Sequence, residues 1–276
     1  DAGGSDDLMA LAVLGRERDT GRWLAWCHCW VKRSVLELRK SEAPRLEGFQ
    51  ADGDLTITED LTQQITALAA LVEKVRASGL MAEKGIVTLA IDSWCFGERM
   101  HDKDGRTGEW DAFKQMLWQG RVLYGMMLFD EFRAVDYLVS RPEVDPQRIG
   151  AFGLSMGATK AWWLAALDPR IKLCIDLCCL TDFDELIKIN NLKGHGIYYY
   201  VPSLLKHFST AQINELIVPR AHLSLNGRRD LLTPPAGVER VRDYLQPLYQ
   251  RYGKADDCHI ELFDCGHEEL PEMRQL

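Results

Sequence analysis

Gly153-Leu154-Ser155-Met156-Gly157 sets a serine between glycines two positions to either side. The short run Arg148-Ile149-Gly150-Ala151-Phe152 precedes it, and a helix-forming run from Ala158 to Leu167 follows. The order is strand, G-x-S-x-G, helix. A turn of this kind puts the serine at the C-terminal end of a strand, with its hydroxyl projecting into a cleft. The glycines let the backbone fold tightly and let strand and helix approach each other. The Met156 N–H can then point at an oxyanion. The five residues alone are a weak signal, because Gly and Ser are common; the flanking elements make it specific. The rival reading, a glycine-rich turn with an incidental serine, does not account for both flanks.

A nucleophilic serine needs a base, and the base needs an orienting acid. The chain order expected behind such a turn is Ser, then Asp or Glu, then His. His267 is the base candidate. It stands in Asp264-Cys265-Gly266-His267, just after the alternating run His259-Ile260-Glu261-Leu262-Phe263. His259 starts that run, the wrong end for a cleft at strand C-termini. His222 opens another strand-like run and reads as structural, and His207 reads as a surface position. Asp230 is the acid candidate: Ala221 to Asn226 reads as a buried strand, Gly227-Arg228-Arg229-Asp230 breaks it, and Pro234-Pro235 follow. An aspartate there would hold the imidazole tautomer and stabilise the imidazolium. The alternative is a loop aspartate that caps a helix or turn; three candidates, each behind a strand and in the right order, favour the catalytic reading.

A chain of 276 residues can bury a large single core, and one domain over 1–276 is expected. Net charge is −8, which gives a nucleic-acid role no electrostatic support. No apolar run reaches the ~18 residues of a membrane helix, and no secretory signal stands at the N-terminus. Several of the 8 cysteines lie in apolar runs, as in Cys174 and Cys178-Cys179. Buried free thiols behave as small hydrophobes. Cys27-His28-Cys29 lacks the paired spacing that completes a zinc site. Reduced thiols, a cytoplasmic protein and no metal are the expectation.

Along the chain, Trp23 to Cys27 reads as a strand that ends at His28-Cys29-Trp30. Residues 31–58 are polar and read as a long loop or short helices. Leu61, Ile65, Leu68, Leu71, Val72 and Val75 recur at helical spacing over Asp60 to Ala77. Gly85 to Asp92 reads as a strand, 97–111 as a loop, and 112–139 as one or two helices. Strands are expected at 171–180, 221–226 and 259–263, with a helix at 236–252. Residues 182–218 read as an insertion packed over the cleft. The alternation predicts an α/β protein, a mainly parallel sheet with helices on both faces.

These motifs, with Asp92-Ser93-Trp94-Cys95-Phe96-Gly97-Glu98-Arg99, Phe132-Arg133-Ala134-Val135-Asp136-Tyr137-Leu138, Arg141-Pro142-Glu143-Val144-Asp145 and Tyr199-Tyr200-Val201-Pro202, resemble the α/β-hydrolase superfamily. The closest likeness is to its dienelactone hydrolase and acetyl xylan esterase branch, over about residues 23 to 276. The resemblance implies the α/β-hydrolase fold with a small cap-like insertion at about 182–218. It implies a serine hydrolase for short-acyl carboxylic esters that works through an acyl-enzyme, with Ser155, Asp230 and His267 as triad and no cofactor. It implies an oxyanion hole from the Met156 N–H and a second N–H just after the first core strand, at Cys29 or Trp30; Trp30 is bulkier than the residue often found there. Trp94, Phe96, Tyr198 and Tyr199 would line a pocket for a small-molecule ester, with core packing as the competing role of each. Glu98 and Arg99 read as structural ahead of substrate contacts.

The resemblance also implies a homo-oligomer. Little chain precedes Trp23 for the usual antiparallel N-terminal strands, and nine residues follow His267 where a final helix would pack, so either segments are missing from this sequence or a partner subunit completes the structure, with missing segments the favoured expectation. Two rivals stand beside the esterase. A prolyl-oligopeptidase-like peptidase shares the triad order but usually carries a propeller domain that does not fit in this length. A non-catalytic binding protein of the same fold has no need of Ser155, Asp230 and His267 together.

Overall fold

The computed structural model describes residues 9–16, 23–38, 40, 43–51, 55–59, 87–96, 99 and 105–275. Two compact units make up the chain, one of residues 1–115 with 274–276 and one of residues 116–273.

In the first unit β1 (Met9–Arg16) pairs antiparallel with β2 (Trp23–Lys32), and β2 pairs parallel with β3 (Leu55–Thr58). An antiparallel strand therefore does precede Trp23. Between β2 and β3 lie α1 (Arg33–Leu38) and α2 (Ala43–Ala51), so the stretch expected as loop or short helices holds two short helices and a strand. Val31, Val35, Leu36, Leu46 and Leu55 form this unit's core. The helix expected over 60–77 lies outside the described residues. The strand expected over 85–92 is not one at 87–92, where Val87 and Leu89 are exposed and no sheet partner lies alongside among the described residues. Apolar alternation marks a strand only where an edge is there to pair with it. The region expected as loop up to residue 111 becomes helical from Gly105, where α3 (Gly105–Trp118) begins.

The second unit holds α4 (Leu123–Ser140), then β4 (Ile149–Leu154), α5 (Met156–Leu167) and β5 (Ile171–Leu177). Residues between β5 and β6 carry α6 (Phe183–Lys188), three single-turn 3-10 helices and α7 (Thr210–Glu215). Then follow β6 (Ala221–Gly227), α8 (Pro235–Arg251) and β7 (Cys258–Phe263). The sheet is parallel, in the order β4-β5-β6-β7. Parallel strands need crossovers, and covering both faces explains why most residues of β5 and β6 are buried, polar ones included. α5 buries Ala158, Ala161, Trp162, Trp163, Leu164 and Ala165, so it is apolar nearly all round. α8 is amphipathic: Val238, Val241, Leu245 and Tyr249 are fully buried on one face. Pro235 opens it, where a missing N–H costs nothing. Ser209 and Gln212 cap α7 reciprocally, at 3.2 and 2.9 Å.

One buried polar network crosses the sheet. Asp176 on β5 accepts from His222 Nε2 and from Ser224 Oγ on β6, both at 2.6 Å, and Asn226 Nδ2 donates to Ser224 Oγ at 3.0 Å. His222 is thus a core histidine bonded to a carboxylate, in line with its structural reading.

Candidate active site

The C-terminal ends of β4, β6 and β7 deliver three side chains to one place within the second unit. β4 ends at Leu154 and α5 starts at Met156, so Ser155 alone makes the turn, at φ 56° and ψ −117°. Those angles suit the first central residue of a II′ turn, which glycine prefers, so Ser155 stores backbone strain. Its neighbours hold it there: Ser155 N donates to Leu177 O at 2.9 Å, and Thr159 N donates to Ser155 O at 3.0 Å. Gly153 is needed for a further reason. A Cβ at this position would overlap the Gly157 carbonyl and crowd Ala158 N. The Met156 N–H is in the first turn of α5, where amides have no intrahelical acceptor.

Asp230 and His267 sit on adjacent exits, those of β6 and β7. Arg228 N donates to Phe263 O at 2.7 Å and Arg229 N to Cys265 O at 2.9 Å, which ties the two loops together. Gly227 lies so close to the carbonyls of Cys265 and Gly266 that a side chain there would overlap them. The Asp230 carboxylate is buried and fully engaged. Oδ1 accepts from Leu232 N at 2.8 Å; Oδ2 accepts from Thr233 Oγ1 at 3.0 Å and from His267 Nδ1 at 2.7 Å. His267 Nε2 lies 2.8 Å from Ser155 Oγ. With Nδ1–H directed at a carboxylate, Nε2 carries the lone pair and the serine hydroxyl donates to it.

Burial alone would push the Asp230 carboxyl up. The bond and charge of His267, with the Leu232 N–H and the Thr233 hydroxyl, outweigh burial and hold it below the usual carboxylate range. The sign for stability follows. A depressed carboxyl contributes fully above its unfolded value of about 4 and loses that contribution as pH falls through the folded value. Urea midpoints of wild type and Asp230→Asn are expected to converge below about pH 4; a gap that is constant across the acid range would contradict this.

Cys29 and Trp30, expected at the end of a strand, lie inside β2 between two paired strands: Cys29 is opposite Ala10 and Leu55, and Trp30 opposite Met9 and Thr56. The strand continues through Val31 and Lys32, so these backbone groups face sheet neighbours rather than an open loop. Trp94 and Phe96 belong to the first unit. Arg99 lies 5.1 Å over the Trp94 ring and donates to Asp92 O at 3.2 Å, which favours the structural reading of Arg99. Tyr198 and Tyr199, expected to line a pocket, are buried. Tyr198 meets Tyr124 at 5.7 Å, and Tyr199 meets Phe183 at 5.0 Å and His195 at 4.3 Å between ring centroids. Aromatic faces pack on one another wherever enough of them converge.

Sequence reasoning did not find Thr233, Asn191 or His195, which support the Asp230 loop; none lies in a motif, and only contacts between distant residues reveal them. Among the described residues, two groups of Cys, Asp and His bring ligand atoms within 4.8 Å of one another, Cys174-Asp176-His222 and Cys178-Asp230-His267. In each, imidazole and carboxylate are already hydrogen-bonded, at 2.6 and 2.7 Å, too close to admit an ion between them. Burial pushes the Cys178 thiol far up and the Cys179 thiol to about 12, so both are neutral packing groups. Among the described residues no helix is long and apolar enough to cross a membrane.

Residues 114–224 match the acetyl xylan esterase family (AXE1). YtaP of Bacillus subtilis (strain 168), a protein assigned as a hydrolase, is 49% identical over 190 residues, 69% of this chain and 62% of YtaP. The chain thus spans less than two thirds of that relative's length. A stretch of 45 residues is 44% identical to the thiohydrolase apmlB of Arthrinium phaeospermum, covering 16% of this chain and 15% of that protein. A crystal structure from Bacteroides fragilis NCTC 9343, assigned as an acetyl xylan esterase, superposes with a TM-score of 0.53 at 18% identity over 66% of this chain and 48% of its own. The chain has the α/β-hydrolase fold and resembles the acetyl xylan esterase branch of it.

Proposed function

We propose that the protein is a serine hydrolase that cleaves short-acyl carboxylic esters through an acyl-enzyme. The observation that carries this reading is the continuous relay from Ser155 Oγ to His267 Nε2 at 2.8 Å and from His267 Nδ1 to Asp230 at 2.7 Å. The match to an esterase family over the segment that contains Ser155 supports it.

In this mechanism His267 takes the Ser155 proton as Oγ attacks the ester carbonyl. Asp230, ionised and buried, stabilises the imidazolium that forms and keeps the tautomer fixed. The Met156 N–H receives the developing oxyanion, and the dipole of α5 adds to it. The protonated imidazole then gives its proton to the leaving alcohol. Water, activated by the same imidazole, releases the acid. The substrate is a small-molecule ester. A homo-oligomer and a cytoplasmic location are part of the same proposal, carried by the resemblance and by cysteines set in apolar runs.

The test is hydrolysis of p-nitrophenyl acetate, butyrate and octanoate, with fluorophosphonate labelling read by peptide mapping. Turnover that falls with acyl length and a label on Ser155 are expected. No turnover and no label would sink the proposal and move the binding-protein reading forward. Asp230→Asn is expected to lower kcat by about 10⁴-fold while leaving the fold intact, because the amide favours the wrong imidazole tautomer; a loss under tenfold would remove Asp230 from the relay.

A further inference from the structure

The segment between β5 and β6 reaches back to the loop that carries Asp230. Asn191 Nδ2 donates to Leu231 O at 2.6 Å. His195 Nε2 lies 3.0 Å from Leu232 O and must donate, since a carbonyl only accepts. These two carbonyls are consecutive and follow Asp230 directly. The N–H of Leu232 in turn donates to Asp230 Oδ1 at 2.8 Å, and the next residue, Thr233, donates to Oδ2 at 3.0 Å. The same short stretch of backbone is therefore gripped from one side by the insertion and grips the carboxylate with the other.

We infer that Asn191 and His195 are positioning residues that hold the Asp230 loop in register with His267, so that the insertion sets the geometry of the relay. The inference rests on the serine-hydrolase reading of the site.

The imidazole of His195 is itself fixed. It stacks on Tyr199 at 4.3 Å and 11°. Tyr199 is buried and packs edge-on against Phe183. The Tyr200 hydroxyl bonds to Leu192 O and closes the turn around Asn191 and His195. Burial pushes the His195 imidazole down; its bond to Leu232 O opposes this, and the nearby His267 depresses it further. A neutral donor suits this place, because a second cation would oppose the imidazolium that His267 becomes.

His195→Phe keeps a ring on Tyr199 and removes the donor, and His195→Gln restores a neutral N–H. Asn191→Asp puts an acceptor against Leu231 O and tests the second tie alone. The full-length variants would be compared for kcat and KM on p-nitrophenyl acetate, for Tm, and for the low-field proton resonance of the His267 Nδ1–H. Since misplacement by about 1 Å costs about 100-fold, His195→Phe is expected to lose about 10- to 100-fold in kcat with KM and Tm nearly unchanged and the low-field resonance shifted or broadened. His195→Gln is expected to recover most of the loss, and Asn191→Asp to move kcat in the same direction. Wild-type kcat and an unmoved resonance in His195→Phe would overturn the inference, as would a kcat loss that follows Tm and is not recovered by Gln. If His195→Phe fails to fold, Asn191→Asp decides by the same criteria. Failure of the underlying reading looks different: wild type and Ser155→Ala would then turn over ester alike, while the resonance would still report on the clamp.

Discussion

Ser155→Ala is expected to lower kcat for p-nitrophenyl acetate by about 10⁴- to 10⁶-fold, with KM changed little. In the proposed mechanism the relay has no purpose without an oxygen to activate: His267 Nε2 lies 2.8 Å from Ser155 Oγ, and alanine leaves nothing there. Any residual rate would come from oriented binding and the oxyanion-stabilising amide, which need no nucleophile. KM should hold because the hydroxyl contributes to the transition state more than to the ground state. The substitution also leaves the backbone at φ 56°, so the strain of the turn is retained. Ser155→Gly relieves that strain, and it is expected to be equally inactive yet to melt above Ser155→Ala. Steady-state kinetics with calorimetry on the three proteins decide the matter. An alanine variant within tenfold of wild type would take the nucleophile elsewhere.

Gly153→Ala is expected to destabilise the protein by about 3 kcal/mol or more, a Tm loss of about 10 °C, and to remove activity along with it. The added methyl would overlap the backbone of Gly157 at the start of α5, and backbone cannot turn aside as a flexible side chain can. Either β4 and α5 separate or Ser155 leaves its position. The first outcome costs the burial of Trp162 and Leu164; the second costs the bond to His267. Urea unfolding monitored beside fluorophosphonate labelling separates the two. A variant with wild-type midpoint and labelling would mean that the close approach is not needed.

Much of the second unit was legible in order along the chain. The five-residue turn with its flanks pointed to a nucleophile candidate, and the acid and base candidates followed from strands that each end in a loop. The three candidates come together because β4, β6 and β7 are parallel, so their C-terminal ends lie along one edge of the sheet. The aromatic residues were open to two readings. Tyr198 and Tyr199 carry the same local signal whether they line a pocket or pack on Tyr124 and Phe183, and only their neighbours decide. Cys29 and Trp30 failed as loop donors because Val31 and Lys32 prolong the strand beyond the point where the polar pattern seemed to end it. The likeness of 87–92 to a strand is local too, and a strand exists only with a partner.

The sequence by itself determined the strand–serine–helix turn, the order Ser155, Asp230, His267, and the largely apolar stretch that makes β5 an interior strand. All of these are local patterns with a local physical cause. Tertiary structure decided the tautomer of His267, the ionised state of Asp230, and the grip of Asn191 and His195 on the acid loop. These depend on contacts between residues far apart in the chain, such as the 37-residue separation between Asp230 and His267 and between His195 and Leu232. Hydrogen-bond geometry at that range is set by how the strands and the insertion pack, which no short stretch of sequence encodes.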